Sequence, residues 1–112
     1  MMMQLNGTDV ELDGEGYLVR PEDWSQEVAE QIAAAEKLAL TGDHWQVLEF
    51  MRDYYDEHQI AADARFVIKH MAEALGYGNA ARRKLFELFP YGYVQQACKI
   101  AGMKRPRAWS TG

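Results

Sequence analysis

Residues 44–59 read HWQVLEFMRDYYDEHQ, and this stretch carries the strongest helical pattern in the chain. Its apolar side chains recur three or four residues apart, as on one face of an α-helix, at Val47, Leu48, Met51, Tyr54 and Tyr55. The preceding Thr41-Gly42-Asp43 is typical of a helix start. The stretch therefore predicts a long amphipathic helix.

Upstream, residues 21–40 show the same period. One face of a second helix would carry Trp24, Val28, Ile32 and Ala35. Asp23 is placed to cap its first turn. Before it, residues 3–19 alternate in short stretches interrupted by Asn6-Gly7 and by DGEG at 13–16, which predicts a β-hairpin or a three-strand meander.

Downstream, Asp63 is placed to cap a third helix. The stretch GYGN at 76–79 is placed to end that helix. Its predicted inner face comprises Ala64, Val67, Ile68, Met71 and Leu75. A fourth helix is predicted over about 80–89, and a fifth over about 92–101. The third and fourth helices are joined by a short turn.

These elements predict an α+β fold, with an N-terminal hairpin packed on an orthogonal bundle of about five helices. The length of 112 residues predicts one domain over 1–112, comprising a hairpin region at 3–19, a helical bundle at 23–101 and a C-terminal arm at 102–112. No apolar run approaches the roughly 20 residues of a membrane span, and the N-terminus lacks the pattern of a signal peptide. We therefore expect a cytoplasmic monomer.

Charge is distributed unevenly along the chain. Residues 1–63 have a net charge of −12 and residues 64–112 a net charge of +7, which together give the −5 of the whole chain. This asymmetry fits either ordinary solvated helix faces or a basic half that meets an anionic partner. Nucleic acid, an acidic protein surface and an anionic sulfur species are the partner classes that such a half would bind.

The short turn before NAARRKLFELF at 79–89 permits a helix-turn-helix interpretation. Arg82, Arg83 and Lys84 would then lie near the start of a recognition helix and contact DNA. Short loops between helices are also common in small helical domains that bind no DNA, so both interpretations stay open. His44, His58 and His70 are too scattered to predict a metal site, and no motif predicts a cofactor.

Cys98 is the only cysteine of the chain. It shares the apolar stripe of the fifth helix with Val94, Ala97 and Ala101, as an inert packed cysteine would. The cations that follow it would instead lower the pKa of the thiol and favour reaction with sulfur. Gly102 and Pro106 end the helix, so the cations belong to an arm in which Trp109 would serve as an anchor.

Several short motifs occur in order along nearly the whole chain: DGEGYL at 13–18, HW at 44–45, RDYY at 52–55, Arg65, LFPYG at 88–92, QQACKIAG at 95–102 and Pro106. In these motifs the chain resembles the DsrC/TusE family of sulfur-relay proteins. The resemblance implies an N-terminal β element on a helical bundle, a C-terminal arm and a role in handling sulfane sulfur. It also implies a protein partner, either dissimilatory sulfite reductase or the relay that thiolates tRNA wobble uridines.

In that family a cysteine near the end of the arm carries a persulfide or trisulfide, and DsrC-type members have a second cysteine on the last helix. Cys98 occupies the second position, whereas Trp109 stands where the resemblance places the arm-tip cysteine. A tryptophan cannot accept sulfur, and a hydroxyl does not replace a thiolate in persulfide exchange. The chain is therefore identified as a divergent member of the family.

Three functions are compatible with this sequence. The first is a regulatory or altered homologue that binds the family's protein partners through basic residues and the arm: Arg65, Lys69, Lys99, Lys104, Arg105, Arg107 and Trp109. The second is a DNA-binding regulator of sulfur genes that uses Arg82, Arg83 and Lys84. The third is a sulfurtransferase that accepts sulfur at Cys98. The sequence does not decide whether the protein is an enzyme.

Overall fold

The computed structural model describes residues 2–5 and 8–104. The chain begins with an antiparallel hairpin of strands β1 (Met2–Leu5) and β2 (Thr8–Glu11), in which Met3 lies opposite Val10. The predicted turn at Asn6-Gly7 falls outside the described residues. A single bridge between Leu12 and Leu18 follows, so the structure shows a hairpin with a bridged loop and not a meander.

Five α-helices lie within the described part of the chain: α1 (Gln26–Ala35), α2 (Gly42–His58), α3 (Ala64–Glu73), α4 (Ala81–Leu88) and α5 (Cys98–Ile100). Short 3-10 turns precede α1 and α4, at Pro21–Asp23 and Gly78–Ala80. The predicted fifth helix is two pieces, because a π-helical turn at Tyr93–Ala97 leads into the short α5. The α+β fold class is confirmed.

The start of α1 differs from the prediction. Ser25 is the N-cap, since its side chain accepts a hydrogen bond of 3.2 Å from the Val28 N–H. Asp23 lies in the preceding 3-10 turn and pairs with Arg20 at 3.1 Å. The prediction of Asp23 as the cap was wrong because Pro21 starts a separate turn. Ala35 is exposed, also against prediction.

The first turn of α2 is tied to the end of α4 through His44. The Thr41 N–H donates to His44 Nδ1 at 3.0 Å, so the ring proton lies on Nε2, which donates to the Leu88 carbonyl at 2.8 Å. The imidazole also meets the Phe89 ring edge-on, with centroids 5.2 Å apart. The buried histidine of the HW motif is therefore a structural link between two helices.

One apolar cluster runs through the hairpin, all the helices and the last turn of the described chain. Its members include Val10, Val28, Ile32, Val47, Leu48, Met51, Val67, Met71, Leu85, Tyr93, Cys98, Ile100 and Met103. Burial of this cluster is the main force that holds the fold, because apolar area removed from water stabilises by roughly 25 cal/mol per Å².

The start of α3 agrees with the prediction. Asp63 is the N-cap, and its side chain accepts a hydrogen bond of 3.0 Å from the Arg65 N–H.

Candidate functional site

The segment 92–103, called here the last helical segment, is buried except at exposed Gln95 and half-buried Lys99. It begins at Gly92, whose φ of 98° lies in the region that glycine adopts without strain. The π-helical turn that follows widens the helix by one residue, a feature often found at functional sites. The two ends of this segment and its single thiol are therefore the candidate functional groups.

The Cys98 side chain has 0% exposure and faces the core. Burial raises the pKa of the thiol to about 12, and hydrogen bonding with the Tyr93 hydroxyl opposes this shift only in part. The same burial raises the pKa of Tyr93, whose hydroxyl donates to the Ala62 carbonyl. In this conformation the sulfur is a protonated, enclosed thiol, which is a poor nucleophile and a poor acceptor of sulfur.

Polar contacts hold the opposite side of the segment against the end of α1. The Tyr91 N–H donates to Gln96 Oε1 at 3.1 Å, and Gln96 Nε2 donates to Glu36 Oε1 at 3.2 Å. Lys99 Nζ reaches the other oxygen of Glu36 at 3.1 Å. A cleft of about 240 Å³ lies beside this pair, lined by Glu15, Tyr17, Glu36, Tyr91, Gln95 and Lys99. Lys99 is therefore already neutralised by a carboxylate.

The carbonyl end of the segment is held by two side chains from distant parts of the chain. Trp24 Nε1 donates to the Ile100 carbonyl at 2.9 Å, and Arg52 Nη1 donates to the Ala101 carbonyl at 3.1 Å. Arg52 Nη2 also reaches the Pro21 carbonyl at 3.3 Å, and the guanidinium lies 4.5 Å from the centroid of the Trp24 ring. These bonds satisfy helix-end carbonyls that would otherwise lack partners.

The chain leaves this end through Gly102. The Met103 N–H donates to the Cys98 carbonyl at 2.9 Å and the Gly102 N–H to the Lys99 carbonyl at 3.1 Å, the pair of bonds of a Schellman motif. Gly102 has a φ of +81°, and a Cβ there would lie 2.5 Å from Trp24 Cδ1. Gly102 and Met103 are buried and Lys104 is exposed, so the packed body includes the first two residues of the predicted arm (102–112), of which residues 105–112 lie outside the described residues. The root of the arm is thus fixed by packing, backbone bonds and two side chains.

The predicted partner-binding cations are found in different surroundings. Arg65 and Lys69 are exposed on α3, and Arg65 Nη2 lies 3.5 Å from Asp63. Lys104 is exposed next to the arm root, whereas Lys99 is engaged by Glu36. The remaining predicted residues lie outside the described residues: Arg105, Arg107 and Trp109.

The basic triplet of α4 does not act as one group. Arg82 and Arg83 are exposed, and Arg83 Nε lies 4.0 Å from Glu87. Lys84 turns the other way, where its ammonium lies 3.4 Å from Asp43 and 5.7 Å from the centroid of the Tyr77 ring. Two of the three cations therefore face solvent.

The structure describes neither a metal centre nor a membrane span. Among residues 2–5 and 8–104, no three His, Cys, Asp or Glu side chains group closely enough to hold a metal ion. Within the same ranges no helix has the length and apolarity needed to cross a bilayer.

The fold and this arrangement define a class of small α+β proteins in which the chain reaches the surface from a buried last helical segment. The chain belongs to the family described as DsrC like protein, which matches residues 4–108. It is 41% identical over 105 residues to the sulfurtransferase TusE homolog of Haemophilus influenzae, covering 94% of this chain and 96% of that protein. The sulfurtransferase TusE of Sodalis glossinidius is likewise 41% identical, covering 93% and 96%.

Solved structures agree with this assignment. The NMR structure of Allochromatium vinosum DsrC superposes with a TM-score of 0.85 at 38% identity, covering 96% of each chain. The crystal structure of the oxidized gamma-subunit of the dissimilatory sulfite reductase (DsrC) from Archaeoglobus fulgidus gives 0.83 at 28% identity, covering 97% of this chain and 99% of that one. The resemblance found in the sequence motifs is confirmed.

Three residues of the arm root were not predicted as functional from the sequence. Trp24 was assigned to the inner face of α1, Gly102 was assigned only as a helix stop, and Arg52 appeared only inside the RDYY motif. The one available signal was that Arg52 interrupts an otherwise acidic stretch of α2. Its target, a pair of backbone carbonyls, has no signature in a sequence.

Proposed function

We propose that this protein acts in sulfur metabolism by binding a protein partner of the sulfur-relay or sulfite-reductase type. Its relatives are named as sulfurtransferases and as the gamma-subunit of dissimilatory sulfite reductase. The observation that carries the proposal is the fixed root of the arm, which fits a device that presents its C-terminus to another protein. Binding, and not sulfur transfer at the arm tip, is the proposed activity, because Trp109 stands at the position where the family resemblance places the arm-tip cysteine.

A fixed root favours binding because it lowers the conformational entropy lost when the arm meets its partner. Trp24 and Arg52 hold the last carbonyls of the helix, so the chain leaves the body in one direction. Lys104 and the basic residues 105 and 107 then supply positive charge to the arm. Such charge increases the association rate with an acidic surface.

The two other functions remain predictions. Sulfur transfer at Cys98 requires the last helical segment to open, because the thiol is enclosed and the pKa of the thiol is raised to about 12. DNA binding through α4 would use two exposed arginines, since Lys84 is engaged by Asp43. Neither arrangement favours its function over partner binding.

The proposal is tested by measuring binding of the full chain to two purified probes, a dissimilatory sulfite reductase and a TusE-partner relay complex. The comparison variant ends at Met103, which keeps the buried root and removes residues 104–112. We expect the full chain to bind one probe and the shortened chain to bind at least about tenfold more weakly. Arg82→Ala with Arg83→Ala is the matched control, because it removes two cations from a different surface.

Absence of binding to both probes would overturn the proposal, and equal binding by the shortened chain would show that the arm is not the contact. Intact-mass measurement after incubation with a persulfide donor separates binding from sulfur transfer. We expect no sulfur adduct on the folded protein. An adduct that disappears in Cys98→Ser would establish sulfur transfer instead.

A further inference from the structure

A pocket of about 150 Å³ lies between the N-terminal hairpin and α1. Lys99 of the last helical segment and Glu36, which follows α1, form part of its wall, and their Nζ and Oε2 atoms are 3.1 Å apart. The apolar part of the wall comprises Met3, Leu12, Ile32 and Ala35. Since Ala35 is exposed and Met3 is half-buried, the pocket opens to the surface.

The pocket has the size and chemistry to hold one aromatic side chain. An apolar cavity of about 150 Å³ accommodates a single aromatic ring, whereas drug-sized ligands occupy pockets of about 300 Å³ or more. Each carboxylate oxygen of Glu36 accepts one hydrogen bond, from Gln96 or from Lys99, and has a second lone pair for another. A tryptophan fits both features, because its indole is apolar and donates one N–H.

Such a side chain follows the described part of the chain. Trp109 is the only aromatic residue of 105–112. Lys99, in the pocket wall, lies one helical turn, about 5 Å, before Gly102, so Lys104 lies within about 12 Å of Lys99. The five residues from 104 to 109 span up to about 17 Å when extended. The indole is therefore within reach of the pocket.

The charges of the arm and of the surface around the pocket are complementary. Residues 104–112 contain three cations and no carboxylate side chain. The hairpin and α1 belong to the acidic half of the chain, and the exposed Glu27 lies one helical turn before Gln31 of the pocket wall. Attraction between opposite charges favours an arm that lies against this surface.

We propose that the indole of Trp109 docks in this pocket and that residues 104–109 lie along the acidic surface of the hairpin and α1. The ring would cover Met3 and Ile32, and its N–H would donate to Glu36. Burial of the indole supplies the main stabilisation, because it removes apolar area from water on both sides of the contact. The arm would thus be joined to the first strand and the first helix of the fold.

This docking does not rest on the proposed function. Where both hold, a partner that takes the arm has to displace Trp109 from the pocket, so the docked arm lowers the affinity for the partner. That consequence rests on the proposed function, whereas the docking is measured on the protein alone. Failure of one is therefore distinguishable from failure of the other.

Nuclear magnetic resonance of the full chain tests the docking directly. The three tryptophans give three indole N–H signals, and Trp109→Phe identifies the signal of Trp109. We expect nuclear Overhauser contacts from this ring to the side chains of Met3 and Ile32. The order parameter of its N–H should be close to the ~0.85 of a rigid group. A value below about 0.6 without those contacts would overturn the proposal.

Filling the pocket gives the sharper test. Ala35→Phe puts a ring on an exposed residue of the pocket wall. The contacts of Trp109 with Met3 and Ile32 should then be lost, and its order parameter should fall below about 0.6. Contacts that persist in this variant would overturn the proposal.

Ala34→Phe is the matched control, because Ala34 is also exposed on α1 but lines a separate pocket with Lys37 and Leu38. It should leave the contacts and the order parameter of Trp109 unchanged. An equal loss in Ala34→Phe would place the indole elsewhere and would also overturn the proposal. The indole signal of Trp24 shows whether each variant is folded, because its N–H donates to the Ile100 carbonyl.

Discussion

The last helical segment (92–103) and helix α4 (Ala81–Leu88) are close in sequence and similar in pattern, yet they are held in different ways. Both are short and amphipathic, and both carry cations. In the last helical segment, distant side chains bond the backbone carbonyls, as Tyr17 does to Val94 at 2.9 Å and Trp24 to Ile100. In α4 the cations reach solvent or nearby carboxylates, and burial of Ala81, Leu85 and Leu88 fixes the helix, with one such bond at its end, from His44 to the Leu88 carbonyl.

This difference predicts which mutations will change the stability of the protein most. When a mutation removes a buried or half-buried donor, the carbonyl that it bonded is left without a partner, because water does not readily reach that carbonyl. The exposed cations on α4 are hydrated in the folded and in the unfolded chain alike, so removing them changes the free energy of unfolding little. We therefore expect large effects in the last helical segment and small effects on α4.

Alkylation of Cys98 tests the largest expected effect. Raising the pKa of the thiol from 9.0 to about 12 lowers the thiolate fraction near pH 8 about a thousandfold, so the folded protein should react at least that much more slowly than the unfolded chain. The rate should rise with pH until about 12, because the thiolate fraction increases. The rate is measured by quenching the alkylation at successive times and determining the alkylated fraction by intact-mass spectrometry. Labelling at pH 8 as fast as that of a free thiol would show that the segment opens readily.

Substitution at the arm root should be the most destabilising single change. Gly102→Ala forces a positive φ on alanine and places its Cβ 2.5 Å from Trp24 Cδ1, so we expect the free energy of unfolding to fall by about 2–5 kcal/mol. Urea denaturation measures it. Gly42→Ala is the control, because nothing lies within 4 Å of its Cβ and it starts a helix, so stability should stay equal or rise by up to about 1 kcal/mol. Equal effects of the two changes would contradict the packing at Gly102.

Arg52→Lys should produce an intermediate effect. A lysine keeps the charge but cannot donate to the Ala101 and Pro21 carbonyls with one planar group, so we expect a loss of about 1–2 kcal/mol in urea denaturation. Arg83→Lys is the matched control and should change stability by less than about 0.5 kcal/mol. A similar small change for Arg52→Lys would mean that Trp24 alone holds the helix end.

The smallest effect is expected on α4. Arg82→Ala with Arg83→Ala should leave the free energy of unfolding within about 0.5 kcal/mol, because both side chains are exposed and Arg83 lies 4.0 Å from its carboxylate partner. The same variant tests the helix-turn-helix prediction by filter binding to promoter DNA of sulfur genes. DNA binding that is lost in the variant and weakens steeply with salt would favour that function over partner binding.

The sequence by itself determined the presence of the first four helices, the core-facing residues of α2 and the family. Val47, Leu48 and Met51 are buried as their spacing indicates, because an amphipathic period records which face leaves water. Asp63 as a cap was also predictable, since its bond is to a backbone N–H two residues away. Motifs such as QQACKIAG carried the family assignment, which the comparisons confirm. Asp23 failed as a cap because it belongs to the separate 3-10 turn that starts at Pro21, after which Ser25 caps α1.

Only the tertiary structure decided the state of Cys98 and the identity of the residues that hold the end of the last helical segment. A stripe position on a helix does not say how completely the neighbours cover a thiol, and coverage is what raises its pKa. Arg52 and Ala101 are 49 residues apart, and the bond between them ends on a carbonyl that every residue possesses. The sequence records side-chain periodicity, whereas such contacts depend on which backbone groups the packed helices bring within reach.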